Sequence, residues 1–430
     1  QTQSKIKIGI MIKLYLKQAW QLLRQNRLIT SISIAGTALS VAAVMLVVLI
    51  YQVNYANYAP ENNRYRMLYV TSMSARSADD AGKNNGQMSL RVLRECLYSL
   101  QTPQAVTGIA KAKQFINKPG ERLSTSCTVL FTDQSFWRIF DFHFISGGPF
   151  TTTDMEAKLR RVVVSATMAR KLFGTADAVG ATFRMNHLNY KVCGVVDDVS
   201  RSAQVAYADV WIPYTVNTEL MSGSRSYENT TGPFSAYLLA ASSSDFASIR
   251  KELQEKVNRF NGSLAETEID FMYSPYTQWE RIIGANGFSE PKLQQWLLNT
   301  GGMLLFLLLL PALNTIGITL TQFRKRRSEI GIRKSFGAHS GILVMQVLTE
   351  NLLISCIGGA IGLIFSYVLL YLCRSILFTT MPHFSFEMLL QPATFLLAFL
   401  FILILNLLSA GWPAYKAARM PIVQALNDLE

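Results

Sequence analysis

Four long apolar stretches divide the chain, and the polar sequence between them falls into unequal parts. Residues 28–53 carry no charge, the first after Arg27 being Glu61. Residues 297–323 include the run LLFLLLLPALNTIGITL. Residues 341–374 are broken by Glu350 near their start, and residues 392–412 run to Trp412, just before Pro413. A helix needs about 20 apolar residues to cross a hydrocarbon core of roughly 30 Å, so each stretch reads as a transmembrane span. A cleaved signal peptide is the competing reading of the first. Its apolar part exceeds an h-region of about 7–15 residues, and Asn57-Tyr58-Ala59 is no small-x-small cleavage site, so an uncleaved anchor is expected. Met11 opens a start of its own, and the ten residues before it read as upstream sequence.

Residues 54–296 have the composition of a soluble domain. RVVVS (161–165), ATFR (181–184) and YKVCGVV (190–196) are rich in β-branched residues and bounded by Gly, Asp and Asn, which predicts strands. Residues 166–173, stopped by Gly174, and residues 244–260 follow helical periodicity. Residues 72–87 and 221–233 are polar and rich in Gly, Ser and Asn, which predicts loops. The expected fold is a membrane protein of four transmembrane α-helices. A large α+β extracytoplasmic domain, read as two subdomains, is inserted between the first and second.

Charge then orients the chain. Only 16% of its 430 residues are charged and 50% are hydrophobic, below the charge content of about 25% usual in soluble domains. The formal net charge of +13 is concentrated. Lys5, Lys7, Lys13, Lys17, Arg24 and Arg27 lie in residues 1–27 with no acid. Arg324, Lys325, Arg326, Arg327, Arg333 and Lys334 lie in residues 323–340 against Glu329 alone. Basic flanks beside apolar spans mark the cytoplasmic side. The N-terminus, the loop 324–340 and the tail 413–430 are thus expected in the cytoplasm, and 54–296 and 375–391 outside it. Residues 11–27 alternate apolar and basic side chains, as an amphipathic helix on the inner surface would. Nucleic-acid binding is excluded, because neither basic stretch has aromatic stacking partners on a folded face.

Cys96, Cys127, Cys193, Cys356 and Cys373 show no metal-ligand spacing, and a disulfide among the outer three is left open. The four histidines are isolated, no catalytic set can be assembled, and no metal site is expected. Glu350 reads as a structural partner for nearby cations rather than a transport residue. Gly358, Gly359 and Gly362 form a small-residue face for close helix packing, across a dimer or within one subunit.

The most specific stretch is TQFRKRRSEIGIRKSFGAHSGILVMQVLTENLLISCIGGAIGL, residues 321–363. Glu329 and Arg333 are four apart, on one face of a helix. Ile330 and Phe336 offer apolar side chains, and Gly331 and Gly337 permit close backbone approach and a helix stop. With Arg327, Glu329, Ile330, Gly331, Arg333, Lys334, Gly337, Ala338, Glu350 and Gly358-Gly359, this stretch resembles the MacB/FtsX-type permease domain. The ending WPAYKAARMPIVQALNDLE and the stretch VVVSATMARKLFGTADAVGATFRMNHLNYKVCGVVDDV resemble the same family.

The resemblance implies a permease subunit of an ABC transporter in a bacterial inner membrane. Its cytoplasmic loop, with Arg327, Glu329, Ile330, Gly331, Arg333, Lys334, Phe336 and Gly337, would couple it to an ATPase. No G-x-x-x-x-G-K-[ST] motif occurs; the nearest fragment, Gly82-Lys83-Asn84, lacks the Ser/Thr for Mg²⁺. The chain is therefore expected to bind no cofactor and to be no enzyme, with ATP and Mg²⁺ held by a separate cytoplasmic ABC ATPase subunit. A second permease copy, membrane lipids and a periplasmic adaptor or outer-membrane channel are the other implied partners. The implied work is mechanotransmission: ATP-driven motion of the outer domains that exports a peptide, antibiotic or lipidic molecule from the periplasm. A lipoprotein-releasing or cell-wall-hydrolase-regulating complex is the alternative within the family. A membrane-anchored receptor is the alternative outside it, disfavoured by the short tail after Trp412.

Overall fold

The computed structural model describes residues 21, 24, 27–77, 82–118, 120, 124–200, 203–222, 226–325, 340–377 and 392–418. The long helices are α1 (Arg27–Tyr55), α2 (Ala166–Phe173), α3 (Phe246–Asn261), α4 (Gly302–Lys325), α5 (Ser340–Leu377) and α6 (Pro392–Ala418). The strands are β1 (Met67–Val70), β2 (Met73–Ser77), β3 (Lys83–Gly86), β4 (Ala105–Asn117), β5 (Thr125–Thr132), β6 (Phe144–Gly147) and β7 (Arg161–Ser165). They continue with β8 (Thr182–Met185), β9 (Leu188–Val196), β10 (Val210–Pro213), β11 (Ser235–Leu239), β12 (Thr267–Asp270) and β13 (Tyr276–Thr277). The chain forms two compact units, one of α1, α4, α5 and α6, the other spanning Val53–Trp296.

The helical unit buries hydroxyl and amide side chains beside aliphatic ones such as Val41, Met45 and Ile402, and leaves many other aliphatic side chains exposed. α1 buries Ser33, Thr37, Ala38 and Ser40 and exposes Leu28, Ile32 and Leu39. Small and hydroxyl residues let helices approach closely where no hydrophobic effect drives them together, while aliphatic side chains face hydrocarbon. α5 and α6 repeat this: buried Asn406 donates through Nδ2 to Ser355 Oγ at 3.1 Å, while Ile364, Leu372, Leu397 and Leu408 point outward. Glu350 is buried on α5 and engaged by its surroundings. Residues 30–48 and 344–369 are long and apolar enough to cross a membrane. α6 contains the apolar run 392–412 and continues through Pro413 to Ala418. Proline removes one donor from the ladder, yet a broken helix in an apolar setting would strand more backbone groups.

In the other unit a ten-stranded sheet runs β13-β1-β11-β4-β5-β10-β7-β9-β6, with β8 bridging β4 and β9. β4 serves both halves. Its residues 105–109 pair antiparallel with β11, and residues 110–116 pair antiparallel with β5. The first half is antiparallel throughout. The second is mixed, with β10 parallel to β5 and β7 parallel to β9. The β7–α2 junction is set by local chemistry. Ser165 Oγ accepts from the Met168 amide at 3.2 Å, and Gly174 ends α2 at φ 77°, a conformation that disfavours any Cβ. α3 buries Ile249, Leu253, Val257 and Phe260 along one stripe.

Residues 72–87 are not the loop that their composition predicted. β2 and β3 form a hairpin that pairs with β12 in a three-stranded sheet. β3 reads Lys-Asn-Asn-Gly and is exposed, so backbone pairing holds it without an apolar face. Residues 227–229 are irregular as expected, with Tyr227, Glu228 and Asn229 all at positive φ. Cys96, Cys127 and Cys193 are free thiols, so the disulfide left open by the sequence is not formed.

Candidate functional site

Of the residues the sequence singled out, Arg327, Glu329, Ile330, Gly331, Arg333, Lys334, Phe336 and Gly337 lie outside the described residues. The basic segment 1–20 and the tail 419–430 lie outside them too.

Gly358, Gly359 and Gly362 are described, and all three meet other helices of the same chain. A Cβ on Gly358 would stand 2.9 Å from Thr37 Cβ and 3.1 Å from the Ile34 carbonyl oxygen. One on Gly362 would stand 2.5 Å from the Ala38 carbonyl oxygen and 2.8 Å from Val41 Cβ. One on Gly359 would overlap the Phe399 ring of α6. The glycines therefore let α5 lie directly on the backbone of α1 and beneath a ring of α6.

A polar network stands where the chain leaves α1. Arg64 and Glu61 are buried, their side chains 3% and 1% exposed, and pair through Nε and Oε2 at 2.7 Å. Arg64 also donates from Nη1 to the Ala56 carbonyl at 2.9 Å and from Nη2 to the Tyr58 hydroxyl at 2.8 Å, with its guanidinium 4.2 Å from the centre of the Tyr58 ring. Glu61 Oε1 accepts from the amides of Val205 and Ala206, each at 3.0 Å. Burial by itself would lower the Arg64 pKa; the facing Glu61 carboxylate and Tyr58 hydroxyl outweigh it and hold the guanidinium above its ordinary value. Two charges taken from water are stable only when both are fully partnered, and here they are.

The network extends into both halves of the sheet. Arg64 sits in the turn Arg64–Arg66 that feeds β1. The Ala206 carbonyl accepts from buried Trp211 Nε1 on β10 at 3.2 Å. Trp211 packs on Phe142 and Trp137, their ring centres 5.3 and 6.2 Å away. Beside it, Lys111 Nζ donates to the Gln204 carbonyl at 2.5 Å, and Arg281 donates to the Gln204 side chain. Sequence reading missed Glu61 and Arg64. The available signal was that they are the first acid and the first base after Arg27, spaced three apart.

Among the described residues no group of three or more His, Cys, Asp or Glu is placed to hold a metal ion. His143 Nδ1 lies 2.6 Å from Asp197 Oδ2 as an exposed surface pair. Asp133 is buried, accepting from the amides of Gly108 at 3.0 Å and Phe136 at 3.2 Å, from Thr107 Oγ1 at 3.1 Å and from the Tyr98 hydroxyl. It follows directly on β5 and ties that strand to β4 and to the turn at Phe136.

A helical unit with an aliphatic outer surface, joined to an α+β domain between its first two long helices, defines a membrane protein with a large extramembrane insertion. Comparison with known families places it. Residues 30–256 match the MacB-like periplasmic core domain, and residues 301–422 match the FtsX-like permease C-terminal domain. The chain belongs to this MacB/FtsX-type family of ABC transporter permeases. It is 22% identical over 414 residues to the macrolide export ATP-binding/permease protein MacB of Escherichia coli (strain K12), covering 96% of this chain and 60% of that protein. MacB 2 of Yersinia pestis bv. Antiqua (strain Nepal516) is likewise 22% identical over 426 residues, with 96% and 60% covered. The chain thus spans about 60% of the length of these relatives. Among solved structures, the periplasmic region of MacB from Actinobacillus actinomycetemcomitans matches with 15% identity and a TM-score of 0.35, covering 50% of this chain and 94% of that one. The extracellular domain of the noncanonic ABC-type transporter YknZ from Gram-positive bacteria matches with 16% identity and a TM-score of 0.33, covering 46% and 100%.

Proposed function

We propose that the chain is the permease part of an ABC transporter that turns ATP hydrolysis on a partner into movement of its periplasmic domain. The observation that carries this reading is the architecture. A helical unit with an aliphatic outer surface holds both ends of an independently packed α+β domain, which continues from α1 at Val53 and returns toward α4 after Trp296. A domain held at two points responds to rearrangement of those helices. In this reading α1, α4, α5 and α6 are four spans, with both termini and the loop 324–340 in the cytoplasm. The loop docks on the ATPase through Glu329, Arg333, Ile330 and Phe336. Two copies pair, and substrate already in the periplasm is pushed outward. The names of the relatives favour export of macrolide-like molecules.

Affinity purification of the tagged chain from native membranes, with mass spectrometry of its companions, tests the reading. A Walker-motif ATPase in near-equal amount supports it, and that ATPase is lost when Glu329→Ala and Phe336→Ala are combined. Recovery of intact permease without any ATPase overturns it.

A further inference from the structure

Each arm of the Glu61–Arg64 network ends on a different element. Arg64 holds the Ala56 carbonyl, one residue beyond the end of α1. Arg64 itself lies in the turn that feeds β1, in the antiparallel half. Glu61 holds the Val205 and Ala206 amides, and the Ala206 carbonyl is held in turn by Trp211 on β10, in the mixed half. We propose that this network is a force-bearing joint, through which displacement of the α1 exit is delivered to the β10 half of the periplasmic domain. What the movement achieves rests on the transporter reading above; the joint itself is a property of this domain.

Two physical rules and one further observation carry the inference. A buried ion pair is commonly replaceable by apolar side chains with little loss of stability, so its value lies in the geometry it imposes. Charge-assisted hydrogen bonds resist stretching along their axis, and those to backbone groups fix main chain rather than mobile side chains. The second chain connection also meets the same segment. Arg281 donates to Gln204, immediately before Val205, and the neighbouring Trp279 packs edge-on against Trp296, ring centres 5.5 Å apart. Trp296 closes the unit. The segment 203–206 therefore receives ties from both places where the chain passes between its two units.

The test uses the full chain in lipid nanodiscs with nitroxides at positions 57 and 191, one at the α1 exit and one on β9. A control pair at positions 113 and 191 lies within the mixed half. The wild-type background should give one narrow distance for each pair. In the double variant Glu61→Leu with Arg64→Met, the 57–191 distribution should broaden while the 113–191 distribution stays narrow. An unchanged 57–191 distribution overturns the joint. Broadening of both pairs also overturns it, because the network would then be a general stabiliser. Should the double variant not fold, Tyr58→Phe removes one acceptor of Arg64 and keeps the ring. It should broaden the 57–191 distribution alone, and no broadening overturns the proposal. No ATPase enters this measurement, so its failure is distinguishable from failure to recover an ATPase partner.

Discussion

The two units of the chain differ in the polar side chains they take inside and in the aliphatic side chains they leave outside. The periplasmic core domain places Trp211, Tyr69, Phe136 and Phe183 at its centre and leaves Lys113, Lys191 and Arg160 outside. The helical unit places Ser33, Thr37, Ser366 and Asn406 inside beside Val41, Met45 and Ile402, and leaves Leu28, Ile32, Ile364 and Leu397 outside. In water, burying an aliphatic side chain is worth about 1.5–3 kcal/mol, and that term organises the sheet. Against hydrocarbon the same side chain gains nothing by burial, and close backbone approach and hydrogen bonds between helices decide the packing. One polypeptide is thus written in two codes, and the same substitution should have different consequences in each.

The largest expected effect breaks the exception to the water code, the charged pair inside the soluble domain. Arg64→Ala leaves Glu61 buried without its cation, and loss of one partner of a buried pair costs about 3–5 kcal/mol. Denaturant unfolding of the full chain, followed by near-ultraviolet circular dichroism of the periplasmic domain, measures it. A loss below about 1 kcal/mol would mean that water replaces the guanidinium and the site is not closed.

A matched substitution tests the comparison itself. Ile212 on β10 is 0% exposed, while Ile364 on α5 is 67% exposed. Ile212→Ala should destabilise the periplasmic domain by about 2–5 kcal/mol through lost transfer energy and a cavity. Ile364→Ala should change the stability of the helical unit by less than about 0.5 kcal/mol, since lipid fills the space. Equal effects at the two sites would show that the outer surface of α5 is covered by protein.

Between these lies the small-residue contact. Gly362→Val places its Cβ against the Ala38 carbonyl and Val41 and should cost about 1–3 kcal/mol, read as a lower thermal midpoint of the helical unit in detergent. If Gly362→Val instead alters only the dimer fraction, the α1 contact is not the one that the glycine serves.

How much of this was legible in the sequence follows the two codes. The apolar runs located the helices because an uncharged stretch such as 28–53 has few other uses. Continuation past Pro413 was not legible from the apolar run, which ends at Trp412 while the helix goes on into the more polar sequence beyond it. In the soluble domain β7, α2, β9 and α3 carried strong local signals: β-branched runs, a left-handed glycine stop and a regular apolar stripe. β4 was missed because Lys111, Lys113 and Gln114 interrupt its apolar pattern once it passes from one half of the sheet to the other. β3 was missed because an exposed edge strand needs no apolar face. The Glu61–Arg64 pair could not be assembled from spacing alone, since its other partners, Val205 and Ala206, contribute backbone amides that any residue would supply.

The smallest effect concerns reactivity rather than stability, and it sharpens the picture of a dry soluble core. Burial pushes the thiols of Cys96 and Cys127 up to about 12, with nearby Glu95 and Asp209 adding to the rise. The thiolate is the reactive form, so at pH 8 only about one such thiol in ten thousand is ionised. Because the folded pKa lies above the working range, the ionised fraction grows about tenfold for each unit of pH between 7 and 9 without levelling off. An exposed thiol would instead approach full ionisation above its ordinary value of about 8.5. Alkylation by iodoacetamide, followed residue by residue with mass spectrometry at pH 7, 8 and 9, should therefore show both cysteines nearly inert, with rates that climb at every step. A rise of only about threefold between pH 8 and 9 at Cys127, as an ordinary thiol would show, would place water at the β4–β5 pairing, where the buried thiol donates to the Gln114 carbonyl at 3.6 Å. The mixed half of the sheet would then be wetter, and a less rigid receiver of movement from α1, than its packing implies.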